Sequence, residues 1–260
     1  MRYSVFAGGK RLRPILVIAG AEAVGGGLTD VMPTACALEC IHTYSLIHDD
    51  LPAMDDDDFR RGHPTNHKVY GEAIAILAGD GLLTLAFRLI AEPGSPATPP
   101  GVLRAVLAEI ADAAGTLGMV GGQVVDIESE GRQISAETLE YIHTHKTAAL
   151  IRASLRSGAL LGGATGQQLD AIGVAGGRLG LAFQVVDDIL DVEGNLDELG
   201  KTAGSDQRKQ KATYPDHHGL EAARVMARTL IHEAKSALAP FGPAADPIRA
   251  LADFVFERRS

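Results

Sequence analysis

Residues 44–67 read YSLIHDDLPAMDDDDFRRGHPTNH. Asp49, Asp50, Asp55, Asp56, Asp57 and Asp58 fall within ten positions, behind an apolar run, and Arg60 and Arg61 follow at once. Carboxylates crowded against a buried helix repel one another unless a cation sits among them. Two or three carboxylates that leave coordination positions open suit Mg²⁺, which completes its octahedron with water and substrate phosphate oxygens. A solvated acidic loop is the alternative reading of the same run.

Upstream, apolar spacing predicts a helix over 31–51 that delivers Asp49 at its end. His42 lies two turns before Asp49 on the same face and is a candidate ligand. Pro52 disfavours continuing the helix, and a straight helix would not place Asp49 and Asp55 together. A kink over Leu51-Pro52-Ala53 is therefore expected to bring Asp55 back toward Asp49.

A second acidic site reads FQVVDDILD, from Phe183 to Asp191. Gln184, Asp187, Asp188 and Asp191 share one helical face, while Phe183, Val185, Val186, Ile189 and Leu190 require burial. Buried carboxylates need partners. Two such clusters on separate helices of a bundle form a metal cage.

No strand alternation persists along the chain, and apolar residues recur at three and four. Helices are expected near 14–24, 31–51, 67–91, 101–120, 136–163, 167–193, 217–239 and 246–257, in one all-α domain covering 1–260. Prolines 93, 96, 99 and 100 mark a loop, and a polar, basic loop runs from Gly194 to about Pro215. The formal charge of −9 argues against nucleic acid as a partner. It leaves anionic small substrates open, since metal ions bridge carboxylate to phosphate. Cys36 and Cys40 read as buried small apolar residues in a reducing compartment, so a cytoplasmic location is expected. No signal peptide is read at the N-terminus, and the apolar run 73–87 is short for a membrane span and contains Asp80, so stable membrane insertion is not expected.

Further polar clusters punctuate the helices. Gly8-Gly9-Lys10-Arg11-Leu12-Arg13-Pro14 makes a phosphate cradle or an exposed basic turn. Gly121 to Asp126 puts Gln123 and Asp126 in an apolar helix, and His143-Thr144-His145-Lys146-Thr147 precedes a small-residue helix. Gly200-Lys201-Thr202 is followed by Lys209 and Lys211. Gly194 to Thr202 has one residue too many between its glycines for a P-loop, and no strand leads into it, so a nucleotide fold is rejected.

Together these segments resemble the short-chain trans-prenyl diphosphate synthases. DDLPAMDDDDFRRG is similar to their first aspartate-rich motif in its bacterial form, and FQVVDDILD to the second. GGKRLRP, HPTNHKVYGEA, LAGD, GGQVVD, HKTAAL and GKTAGSD…KATYP match in type and order, with bacterial farnesyl diphosphate synthases nearest. The family carries at least one helix before GGKRLRP, whereas seven residues precede it here.

The resemblance implies an isoprenoid synthase fold, a single-domain helical bundle around a deep central cavity, and a homodimer. It implies that an allylic diphosphate ionises, that the double bond of isopentenyl diphosphate attacks the cation, and that the released diphosphate accepts the proton. Three Mg²⁺ ions, with Mn²⁺ as a substitute, are expected on Asp49, Asp50 and Asp55 of one side and Asp187, Asp188 and Asp191 of the other. Arg60, Lys146, Lys201 and Lys211 are expected to bind substrate diphosphate, and Lys10, Arg13, His42 and Arg61 isopentenyl diphosphate. Thr147 and Gln184 turn neutral oxygens toward the cation.

Tyr44 lies about 7.5 Å before Asp49 along a helix, and Ser45 one turn before it. By resemblance, an aromatic at Tyr44 closes the pocket at a C15 product, so farnesyl diphosphate is expected. A geranylgeranyl diphosphate synthase is the alternative. A terpene cyclase fits less well, because DDILD stands where cyclases carry an Asn/Ser/Glu-type motif and the chain has no Trp. A non-catalytic partner subunit would have lost an aspartate motif, and both are intact.

Overall fold

A computed structural model describes residues 1–92, 94, 98–193 and 212–258. Among the described residues the regular structure is helical apart from one hairpin of two-residue strands. In chain order the helices are α1 (Arg2–Val5), α2 (Leu12–Glu22), α3 (Leu28–Asp49), α4 (Asn66–Tyr70), α5 (Glu72–Ala91), α6 (Pro100–Ala114), α7 (Met119–Ser129), α8 (Ala136–Ile142), α9 (Ala149–Leu161) and α10 (Gly166–Glu193). After the second gap come α11 (Tyr214–His218), α12 (Leu220–Ala237) and α13 (Asp246–Glu257). The strands β1 (Phe59–Arg60) and β2 (His63–Pro64) pair antiparallel between α3 and α4.

Helices α2 and α9 pack on each other, and α9 also touches both α3 and α10. Two apolar clusters result. One gathers Val31, Leu38, Ile41, Leu82 and Ile110 around α3, α5 and α6. The other gathers Ile172, Leu179, Val185, Leu230 and Ile248 around α10, α12 and α13. Leu150 and Ala153 of α9 belong to the first, and Ile151, Leu155 and Ala159 to the second. The first acidic motif therefore ends one half and the second lies on the long helix of the other.

The α2–α9 contact is made backbone to backbone. A methyl on Gly20 would fall on the carbonyl of Leu155, and one on Gly158 on the carbonyl of Val17. These glycines forgo helix propensity for close approach.

Several expected boundaries move. Helix 67–91 is two helices, because Gly71 takes φ +84° between them. Helix 101–120 ends at Ala114, and the polar segment beginning at Gly121 lies in a separate α7. Helix 217–239 splits at Gly219, with Thr213 capping a short first piece. Cys36 is exposed and Cys40 alone of the pair is buried. The apolar run at 73–87 belongs to a 20-residue helix, long and apolar enough to cross a membrane, as is α10. Half of the apolar window of α10 is buried within the fold.

Candidate active site

The first acidic motif folds back as its proline requires. Helix α3 stops at Asp49, and the Asp55 N–H donates to the Asp49 carbonyl at 2.7 Å. The Asp56 N–H reaches Leu51 at 3.1 Å, with Asp56 in the left-handed region at φ +52°. Asp49 and Asp55 thus stand at one end of α3. Asp57 and Asp58 hold the hairpin instead. Thr65 donates its hydroxyl to the Asp57 carbonyl at 2.8 Å and its N–H to the Asp58 carbonyl at 2.9 Å.

The hairpin turn is Arg61-Gly62, both with positive φ (+54° and +77°). Such a two-residue turn matches the right-handed twist of paired strands. It sends the two arginines to different partners. Arg60 donates from Nε to Asp50 at 2.6 Å, and Arg61 donates to the Gly8 carbonyl at 2.5 Å. Asp50 is buried, which pushes its carboxyl up to about 6 despite the opposing pull of Arg60.

Arg61 brings the glycine-rich turn of the N-terminus to the same place, since a side chain at Gly9 would collide with its guanidinium. Arg13 lies in the first turn of α2 with its Nε buried and unpaired. Burial lowers Arg13 to about 10, opposed by nearby Glu39. Arg11, with φ +51°, pairs with buried Glu39 and donates to the Val5 carbonyl at 2.6 Å. His42 sits among Arg13, Arg61, Arg60 and Arg11; burial first, then those charges, hold it well below its ordinary value and neutral. Lys10 is exposed beside this cluster in sequence. Four guanidinium groups around a neutral imidazole, two of them paired with Asp50 and Glu39, make a receptor for a multivalent anion.

The second acidic motif stands on α10. Gln184, Asp187 and Asp191 are half-buried, while Asp188 is buried. Asp188 accepts the Tyr214 N–H at 2.8 Å and lies 3.5 Å from His143 Nε2. The His143 ring stacks on Tyr214, and burial lowers its pKa to about 4. Asp187 accepts from Arg258 at 2.7 Å.

Against α10 and α7, α8 runs into α9 through a π-helical turn, His143–Ala148. The turn swings Lys146 toward α7, where its Nζ donates to Asp126 at 2.6 Å. Gly122 of α7 has no room for a side chain against the Lys146 backbone, and Gly180 of α10 none against Ala148. A cavity of about 110 Å³ opens here, lined by Asp126, His143, Lys146, Thr147, Gln184 and Asp188 among others. Single π turns inside helices are frequent at functional sites.

The structure so gathers Arg13, His42, Arg60 and Arg61 in one cluster and Lys146, Thr147, Gln184 and Asp188 in another. Lys201 and Lys211 lie outside the described residues. Sequence reasoning left Arg11, Glu39, Asp126 and Arg258 without roles. The signal for Glu39 and Asp126 was present, each being an acid inside an apolar helix. Tyr44 is buried at 7% exposure, its ring edge-on to His48 at 5.7 Å. Ser45 is half-buried and turns its hydroxyl to the His42 carbonyl at 3.0 Å.

The polyprenyl synthetase family pattern matches residues 1–238. The chain belongs to the polyprenyl synthetase family. A farnesyl diphosphate synthase of Geobacillus stearothermophilus is 53% identical over 86% of this chain and 75% of that one. A chloroplastic geranylgeranyl pyrophosphate synthase of Capsicum annuum is also 53% identical, over 99% of this chain and 70% of that one. The solved structure of an FPP/GFPP synthase from Zymomonas mobilis superposes with a TM-score of 0.89 at 38% identity, over 98% of this chain and 86% of that one. The fold is that of the isoprenoid synthases, and the protein is a trans-prenyltransferase that makes prenyl diphosphates.

The donors fit a divalent ion shared with substrate. Asp49, Asp55, Asp187 and Asp191 offer hard oxygen ligands that suit Mg²⁺. Among the described residues, no three His, Cys, Asp or Glu side chains converge to hold a metal alone.

Proposed function

We propose that this synthase is a Mg²⁺-dependent farnesyl diphosphate synthase. It joins isopentenyl diphosphate to dimethylallyl or geranyl diphosphate and stops at C15. The buried Tyr44 ring carries the choice of product length. Burial, then Asp49, push its hydroxyl up to about 12, so it stays neutral at physiological pH. Tyr44 sits five residues before Asp49 on α3, and His48 backs its ring. Gly79 of α5 makes space for the His48 imidazole, and His48 Nε2 lies 3.1 Å from the Ile76 carbonyl. An elongating tail that starts at Asp49 and runs along α3 meets this floor.

Bound Mg²⁺ supplies the electrostatic pull on the leaving diphosphate. Asp49 and Asp55 of the first motif and Asp187, with Asp191, of the second would hold the ions. Asp50 and Asp188 act through protein partners, fixing Arg60 and Tyr214. Arg60, with Lys146, Lys201 and Lys211, grips the allylic diphosphate. Lys10, Arg13, His42 and Arg61 receive isopentenyl diphosphate. Asp126 aims Lys146, and Thr147 and Gln184 face the developing cation with neutral oxygens.

The deciding assay supplies Mg²⁺, isopentenyl diphosphate and each of the C5, C10 and C15 allylic primers. A C15 end point, with the C15 primer refused, is expected. Tyr44→Ala should then yield C20 and longer chains. Wild-type conversion of the C15 primer to C20 would replace this reading with geranylgeranyl diphosphate synthesis, the activity for which the Capsicum relative is named.

The exposed face of α5 supports a homodimer. Ile74, Ile76 and Leu77 are 53%, 44% and 64% exposed on a helix whose other face packs on α3. Such an apolar face fits a subunit interface in a cytoplasmic enzyme. Sedimentation should give twice the protomer mass, and a protomer mass would remove the dimer.

A further inference from the structure

Arg258 reaches back to the second acidic motif. Beyond the end of α13, Arg258 leaves helical geometry (φ −61°, ψ 149°) and turns its side chain back onto α10. Its guanidinium donates to Asp187 at 2.7 Å and to the Phe183 carbonyl at 2.8 Å. It lies 3.9 Å over the Phe183 ring. The Arg258 side chain is 4% exposed, against 46% for Asp187. A nearly buried guanidinium with a ring, a carbonyl and a carboxylate on it is a built contact, not a solvated tail.

We propose that Arg258 is the resident counter-ion of Asp187, holding that carboxylate in the resting enzyme and yielding it when a metal–diphosphate pair binds. The proposal rests on the reading of Asp187 as a metal ligand. The physical reason is charge balance. Asp187, Asp188 and Asp191 stand within five positions of one helix, and without a cation they repel one another. Arg258 supplies one positive charge at Asp187. An ion on that same oxygen competes with the guanidinium, so metal uptake carries the cost of release. Arg258 is thus a positioning residue: it sets how tightly this motif takes metal and keeps the Asp187 rotamer ready.

The test titrates Mn²⁺ into wild type, Arg258→Gln and Arg258→Lys by electron paramagnetic resonance, each with inorganic diphosphate present. Arg258→Gln should bind Mn²⁺ about threefold to tenfold more tightly than wild type, since a half-exposed charge pair is removed from the competition. Arg258→Lys, which keeps the charge without the fork, should fall between them. Unchanged or weaker Mn²⁺ binding in Arg258→Gln, with wild type binding normally, overturns the counter-ion role alone. Failure of wild type to take up Mn²⁺ with diphosphate overturns it together with the reading of the second motif as a metal site. If Arg258→Gln does not fold, Arg258→Lys decides, and affinity equal to wild type or weaker overturns the proposal.

Discussion

Asp49→Asn is expected to lower turnover about a thousandfold while leaving the melting temperature within a few degrees of wild type. Asparagine keeps the shape of the side chain and removes the charge that a divalent ion needs. Asp49 is the last residue of α3 and is half-buried, so the substitution disturbs no packed core. The backbone bond that brings Asp55 back uses the Asp49 carbonyl, which the variant retains. Asp187→Asn should behave alike from the second motif. The informative control is Asp58→Asn. Its carboxylate pairs with exposed Lys68 at 2.7 Å, and its carbonyl, not its side chain, holds Thr65. An exposed pair of this kind contributes little, so the change should cost under threefold in turnover. Steady-state kinetics at saturating Mg²⁺ decide. If Asp49→Asn keeps a tenth of the activity, or Asp58→Asn loses as much as Asp49→Asn, the division of labour among the six aspartates is wrong.

Gly158→Ala should lower the melting temperature by about 5–10 °C, from a loss of about 3 kcal/mol. The added methyl falls on the Val17 carbonyl, and the opposing atoms are backbone atoms of Val17 and Ala21 in α2, with no flexible side chain to yield. Helix α2 must move outward. Arg13 lies in its first turn, so the variant should also raise KM for isopentenyl diphosphate more than KM for the allylic substrate. Gly177→Ala is the matched control. It lies inside α10 with open space where its Cβ would go, so alanine should raise stability by up to about 1 kcal/mol through helix propensity. Calorimetry on the two variants separates close approach from propensity. Equal effects of the same sign would remove the packing argument.

Much of this design was legible in the chain. The i, i+3, i+4, i+7 face of Gln184, Asp187, Asp188 and Asp191 is a local pattern, and local patterns survive folding. Pro52 predicted the fold-back that joins Asp55 to Asp49, because its ring forbids the alternative. The assignments that escaped are pairings between distant segments. Asp50 with Arg60, Lys146 with Asp126 and Arg258 with Asp187 are set by how helices pack, and spacing does not encode them. Helix breaks at Gly71, Gly115 and Gly219 were missed for another reason. The apolar periodicity runs on through Leu117 and Met119, and periodicity outweighed the glycines. The left-handed turn at Arg61 was hidden because a non-glycine residue there runs against local preference, and the hairpin overrides it.

The π turn at His143–Ala148 has a consequence for how such chains tolerate change in length. A wide turn amounts to one surplus residue in an otherwise continuous helix from Ala136 to Leu161. Removing a single residue, Thr144 for instance, would let the backbone close into ordinary i→i−4 bonding. Every side chain on one side of the deletion would then rotate by about 100° relative to the other. Lys146 and Asp126 would part, although each residue type would still be present. Substitutions at Thr144, an exposed position, should be absorbed, whereas loss of the residue itself should silence the site. At Thr144 the count of residues, more than the identity of the side chain, is what keeps Lys146 on Asp126.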